Sequence, residues 1–388
     1  MIMLQDDRLG YYTVGDRKIY SKIEACRTAT QTGQHPEWHF NNKVWQSQNW
    51  QHEPEIDILE LYRQRARQIR ERYDHVIINY SGGCDSQTMV DAFLSSGCHI
   101  DEVVTIWNRA HTAKVDTSGM ITDPANIEAE YDLTTRPGLD RILAASPTTK
   151  ITYVDISDHT VDLYNQFDRE EWLSTTAEHL HPQYITRWAG TRDRDQLVQL
   201  DRGRRTAILF GVDKPKVCIK DGQYCAYFVD IVANSFRGGW NRPEYDNLTY
   251  EFFYWTPDLP AIVIKQAHLI RQWFQTHTRL EPLLIWPNHD YAKRTAYELI
   301  VRSIIYPEWD LGTFQANKST SAVWSEWDAW FFEQYRDTST MQTWLAGLDH
   351  IQKTVDPKYL SYNFQGRFEG FVGMINGHFQ LDHTRVAV

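Results

Sequence analysis

Ser81-Gly82-Gly83-Cys84-Asp85-Ser86 is the stretch whose residue types and spacing point most directly to chemistry. Two adjacent glycines let a backbone turn tightly with its N–H groups converging, and serines at either end add hydroxyl donors. Val76-Ile77-Ile78, just ahead, is the short apolar run of a buried parallel strand, and residues 87–95 read as the helix that follows. A glycine-kinked loop running from a strand into a helix N-terminus gathers unpaired N–H donors and a partial positive charge, a setting suited to an oligophosphate. Such a nest works without a lysine, so the absence of a GxxxxGK[ST] sequence is no objection. The bland alternative is a plain turn in which Asp85 caps a helix.

These six residues match an SGGxDS signature, and through them the chain resembles the PP-loop ATP pyrophosphatase superfamily. That superfamily includes asparagine synthetase, GMP synthetase, tRNA lysidine and thiouridine synthetases, and sulfonucleotide reductases. The resemblance is carried by residues 70–110 and extends more loosely to residue 235. It implies ATP as the bound nucleotide, held by Ser81, Gly82, Gly83, Cys84, Asp85 and Ser86 and split between its α and β phosphates. Members adenylate a carboxylate, amide or carbonyl oxygen, and a nucleophile then displaces AMP. In the superfamily the end of the next strand lies by adenine, which makes Trp107 and Asn108 candidates for the base; a core tryptophan is the alternative for Trp107.

A further strand, residues 206–210, runs into Gly211-Val212-Asp213-Lys214-Pro215, where several superfamily members place a second phosphate or metal loop. Gly211 and Pro215 punctuate a turn that presents Asp213 and Lys214. Departing pyrophosphate carries several negative charges, which Mg²⁺ on a carboxylate and a nearby ammonium could neutralise. Asp85 and Asp213 are therefore the metal-ligand candidates, and Lys214 and Asp85 the catalytic ones. A solvent-exposed Asp-Lys turn is the competing reading.

Other groups carry weaker signals. Arg187, Arg192, Arg194, Arg202, Arg204 and Arg205 crowd together, interrupted by Asp193, Asp195 and Asp201, and read as a solvated face before an anion-binding loop. His179, His181 and the His289-Asp290 pair lack partners at metal-ligand spacing. Trp324, Trp327 and Trp330 repeat at helical spacing, as a core stripe does. Cys218 and Cys225 form the closest cysteine pair, yet their placement on a predicted hairpin does not resemble the spacing of thiouridine synthetases. No cysteine follows Cys225, which argues against thiol reduction by the C-terminal region as in sulfonucleotide reductases. Too few residues precede the cradle for a glutaminase domain, so ammonia channelled from glutamine is not expected. Glu251-Phe252-Phe253-Tyr254-Trp255 and Phe314-Gln315-Ala316-Asn317-Lys318 are similar to stretches of PP-loop proteins encoded by tailed phages.

The elements that must position these residues read as an α/β fold, a doubly wound parallel sheet. Strands are predicted at 101–107 and 151–156 after the cradle strand, with helical patterns at 126–133, 139–145 and 161–173 between and after them. Ligands in such sheets sit beyond the carboxyl ends of the strands. Residues 1–55 form an N-terminal appendage, a hairpin around Gly15-Asp16 and a helix opened by the capping box Ser21-Lys22-Ile23-Glu24. The aromatic series Trp38, Phe40, Trp45 and Trp50 is expected to pack the appendage onto the main domain rather than stack bases. Residues 56–235 form the nucleotide-binding domain, ending in a hairpin around Asp221-Gly222 that could extend the sheet. Residues 236–388 form a mainly helical C-terminal domain joined at Arg237-Gly238-Gly239-Trp240, with helices predicted at 262–276, 292–305 and 323–335.

Composition sets the outer limits. The 388 residues are 42% hydrophobic with 15 Trp, 21 Tyr and 16 Phe, enough for large packed cores and incompatible with disorder. No run approaches a membrane span and no signal sequence opens the chain, so a cytoplasmic location without membrane partners is expected. Five cysteines without CxxC spacing suit a reducing compartment. A net charge of −11 does not favour nucleic acid as a partner, although a local basic patch could still bind it. The expectation is an ATP- and Mg²⁺-dependent, AMP-forming enzyme acting on an unidentified acceptor. A sulfonucleotide-binding or sulfur-transfer protein and a non-catalytic nucleotide-binding or virion-associated module are the alternatives.

Overall fold

Val76, Ile77 and Ile78 are fully buried, as a strand covered on both faces requires, and each contributes about 1.5–3 kcal/mol through removal from water. They lie in the centre of a five-strand parallel sheet. The computed structural model describes residues 5–107, 135–155, 203–230, 247–288, 291–309, 336–362, 366 and 368–382.

The chain starts with an antiparallel sheet of β1 (Tyr11–Val14), β2 (Arg17–Ile19) and β3 (Pro36–His39), against which α1 (Lys22–Thr32) packs. Ser21 caps α1 through its hydroxyl, which accepts from Glu24 N–H, and Gly33 closes it in a left-handed conformation. After α2 (Asn42–Gln46) and α3 (Ile58–Arg72) come the parallel strands β4 (His75–Asn79), β5 (Glu102–Trp107) and β6 (Lys150–Asp155). Helix α4 (Cys84–Ser95) follows β4, and α5 (Arg136–Ala145) precedes β6 with Pro137 in its first turn, where a missing N–H is tolerated. β7 (Thr206–Phe210) returns to the other side of β4, and β10 (Leu248–Phe252) lies beyond it, giving the order β10-β7-β4-β5-β6. The direction of strand addition reverses between β4 and β7, and a crevice at such a reversal is where α/β sheets bind ligands. Helices flank the sheet: α3 packs on α4, and α4 on α5.

Two features differ from the sequence expectation. The hairpin β8 (Lys216–Lys220) and β9 (Gln223–Tyr227) does not extend the parallel sheet; it forms a separate antiparallel sheet with β13 (Phe379–Gln380). The parallel sheet instead takes its outer strand, β10, from past residue 236, because Leu248–Phe252 pairs in register with all of β7. The late chain thus supplies more than the helices α6 (Ala261–Thr276), α7 (Tyr291–Ile305) and α8 (Ser339–Thr354): it also contributes β10, β13 and the short pair β11 (Leu360–Tyr362) and β12 (Phe368–Phe371).

The aromatic series packs as core. Phe40 lies 5.2 Å from Trp38 and 5.3 Å from Phe228, Trp45 sits 4.6 Å from Phe228, and Trp50 stacks on Phe379 at 4.6 Å. These contacts join the N-terminal sheet to elements hundreds of residues later. Two buried ion pairs repeat the theme, Lys22 with Asp230 at 2.8 Å and Arg65 with Glu251 at 2.9 Å. No helix of the described residues is long and apolar enough to cross a membrane.

Candidate functional site

The β4–α4 junction is shaped by its glycines and closed by its serines. Gly82 has φ +75°, and a Cβ there would come within 2.8 Å of the Thr135 backbone, so only glycine fits. Ser86 Oγ donates to Gly83 C=O at 3.1 Å and accepts from Ser81 N–H at 3.2 Å, drawing the loop back onto the first turn of α4. Thr135 fastens the outside by donating to Ser81 C=O at 2.9 Å. Gly83 is the N-cap of α4 and brings no side chain to its first-turn donors. Ser81 is exposed and the Asp85 side chain retains 23% of its accessibility, whereas Gly82, Gly83, Cys84 and Ser86 are buried. The hydroxyl of Ser86 holds the loop's shape, and that of Ser81 accepts from Gly83 N–H at 3.4 Å.

The loop after β7 meets this junction directly. Gly211 allows the approach: a Cβ there would stand 3.1 Å from the Asp85 backbone. Lys214 Nζ lies 3.0 and 3.1 Å from the two carboxylate oxygens of Asp85, 3.3 Å from Asp213 and 3.8 Å from Glu298. Lys216 extends the cluster, 3.3 Å from Asp213 and 2.5 Å from Glu298. Burial would push the Lys214 ammonium toward neutrality, but Asp85, Asp213 and Glu298 outweigh it and hold its pKa well above the usual lysine value. Burial likewise would raise the Glu298 pKa, and Lys216 and Lys214 bring it below the ordinary glutamate value. Lys214 and Glu298 are therefore both charged at neutral pH.

Residues beyond position 250 complete the site. Tyr306 donates to Asp85 Oδ1 at 2.5 Å, and Tyr254 donates to the Asp85 backbone carbonyl at 2.7 Å. Tyr297 braces the 211–217 segment, donating to Pro215 C=O at 2.8 Å and accepting from Val217 N–H at 2.9 Å. Burial, reinforced by nearby Asp85, drives the Tyr306 phenol far above its usual pKa, so it stays a neutral donor.

The structure thus brings Ser81, Gly82, Gly83, Cys84, Asp85 and Ser86 together with Asp213 and Lys214. Trp107 ends β5 with its backbone opposite Asp155; its side chain lies outside the described residues, as do Asn108, His179, His181, Arg187, Arg192, Arg194, Arg202, His289, Asp290, Trp324, Trp327 and Trp330. Arg205 pairs with exposed Asp74 at 2.8 Å, at the start of β7 and so at the opposite end of the strand from the Lys214 loop. Glu298, Tyr254, Tyr297, Tyr306 and Lys216 were not singled out by sequence reasoning. A buried-helix pattern at 292–305 containing glutamate and arginine was the one signal that could have pointed to Glu298.

Asp85 and Asp213 offer hard oxygen ligands, the right chemistry for magnesium. Among the described residues no group of three or more carboxylate, histidine or cysteine side chains is placed to enclose a metal. One or two carboxylates plus substrate phosphates is the usual magnesium arrangement, and Asp85 and Asp213 supply that number by exchanging contacts they make with Lys214, Lys216 and Tyr306. No protein-family model matches the chain, and no curated protein matches it significantly.

Proposed function

We propose that this chain is an AMP-forming ATP pyrophosphatase of the PP-loop type, built on a doubly wound nucleotide-binding unit with an N-terminal appendage and a C-terminal region. One observation carries the reading: the SGGxDS junction and the Asp213-Lys214 loop follow the two strands between which strand order reverses, and Lys214 joins them through Asp85.

Ser81 through its hydroxyl, and Gly82, Gly83 and Cys84 through backbone N–H groups, would hold the β and γ phosphates, while Ser86 keeps the loop closed through Ser81 N–H. Trp107 and Asn108 remain the proposed neighbours of adenine. Asp85 and Asp213 would hold magnesium carried on the phosphates, and that ion supplies charge neutralisation. The acceptor oxygen attacks the α phosphorus, the bond from that phosphorus to the bridging oxygen breaks, and pyrophosphate leaves with the bonding pair. Lys214, fixed in its charged form, offsets the negative charge that develops on the leaving group. An amine, amide or similar nucleophile then attacks the adenylated carbon, AMP departs with the C–O bonding pair, and the nucleophile's proton passes to solvent. Five cysteines without disulfides accord with a reducing, cytoplasmic setting for this chemistry.

The test is incubation with α-labelled ATP, magnesium and fractionated metabolites or nucleic acid. AMP with stoichiometric pyrophosphate supports the proposal. ADP as product defeats it, and bound ATP with no turnover across the fractions favours a nucleotide-binding module instead.

A further inference from the structure

Glu298, Arg302 and Tyr306 follow one another at intervals of four residues, so they share one face of α7, whose last turn continues into Tyr306 through a 3.1 Å bond from its N–H to the Arg302 carbonyl. Both ends of this row touch the charge cluster. Glu298 reaches Lys216 at 2.5 Å and Lys214 at 3.8 Å, and Tyr306 reaches Asp85 at 2.5 Å. Arg302, between them, is therefore held over the same cluster and beside the start of α4.

Its own guanidinium feels the charge of Asp85 and Glu298 without contacting either. Arg302 makes no side-chain hydrogen bond and no ion pair within 4.0 Å among the described residues, and its Nε is shut off from solvent without a partner. A buried donor left in that state costs free energy, which a bound anion would recover. The cluster beneath it, Asp85, Asp213 and Glu298 against Lys214 and Lys216, carries one more carboxylate than ammonium. Lys214 already divides its charge among those carboxylates. Phosphates arriving at the junction would meet an excess negative charge unless another cation offset it.

We propose that Arg302 binds the phosphate chain of the nucleotide, gripping the β and γ phosphates that leave as pyrophosphate. This deepens the AMP-forming reading and rests on it. The guanidinium has N–H pairs in a fixed fork that matches phosphate oxygens, and it stays charged at any working pH.

The test compares affinities of the full chain for ATP, AMP and inorganic triphosphate, by calorimetry in magnesium, for the wild type, Arg302→Gln and Arg302→Met. Loss of a charged hydrogen bond predicts a roughly ten- to hundredfold weaker affinity for ATP and triphosphate, with AMP affinity within about twofold of wild type. Arg302→Lys, which keeps the charge and loses the fork, should restore part of the loss. Thermal unfolding identifies which neutral variant is folded, and that variant decides the matter. An unchanged ratio of ATP to AMP affinity, or equal weakening of both, overturns the role of Arg302 while leaving the nucleotide reading intact. Wild-type protein that binds neither ATP nor triphosphate overturns both.

Discussion

Lys214 contacts both carboxylate oxygens of Asp85, at 3.0 and 3.1 Å, across a sequence separation of 129 residues. The pair joins the loops following β4 and β7, and it makes Asp85 part of a buried charge network rather than a free helix-start acid.

That network should respond unequally to its removal. Lys214→Met takes from Asp85 the ammonium that contacts both its oxygens, while Lys216 still pairs with Asp213 and Glu298, and breaking a buried pair from one side costs about 3–5 kcal/mol. Asp85→Asn leaves Lys214 two other carboxylates and should cost less. Denaturant unfolding of both variants checks the order, and turnover of ATP should fall at least about a hundredfold in each, as for loss of a charge-stabilising group.

Acid should loosen the same network through Glu298. Folding lowers its pKa below the ordinary 4.5, so its contribution is present above that value and is lost as pH falls through the folded pKa. The melting temperature of the wild type should therefore drop more steeply below pH 4.5 than that of Glu298→Gln. Parallel curves would remove Glu298 from the account. Lys214 has the opposite sense: its pKa is raised, so its contribution persists at and below the ordinary lysine value of 10.5 and fades only at higher pH.

Gly82→Ala tests the junction's shape. A left-handed conformation costs a non-glycine residue about 1–2 kcal/mol, and the added methyl would also press on the Thr135 backbone at 2.8 Å. Lower thermal stability together with loss of nucleotide binding is expected. A variant that binds ATP as the wild type does would show that the turn is not where phosphate is held.

Cys218 and Cys225 stand directly opposite each other on β8 and β9, both buried. Burial raises both thiol pKa values, and in Cys218 its neighbour Cys225 adds to the shift. Iodoacetamide at pH 8 should leave both unlabelled in the folded chain and label both after unfolding, as mass spectrometry would read out. Fast labelling of either in the folded state would contradict this.

What the sequence made legible was local. The unbroken Val76-Ile77-Ile78 run, the double glycine and the Ser21 cap each announce their own geometry, and β4, the β4–α4 junction and α1 appear where those signals put them. Thr206–Phe210 was equally plain, because a fully buried strand is apolar at nearly every position. Long-range pairing left no such mark. Nothing in Leu248–Phe252 says that it aligns with β7, and nothing in Phe379–Gln380 says that it joins β9. Tyr254 and Tyr306 are both buried, and only the fold shows their hydroxyls meeting Asp85.

The position of β10 bears on synthesis. A nascent chain released as far as residue 235 would already contain every residue of the glycine turn and the lysine loop, yet β7 would face water along its outer side, an unpaired edge open to mispairing. Asp85 also lacks Tyr254 until translation has passed residue 254, and Tyr306 until it has passed residue 306. The ribosome would thus expose an incomplete sheet until Phe252 has been made and an incomplete site until Tyr306 has, and that interval is when a chaperone would have most to protect.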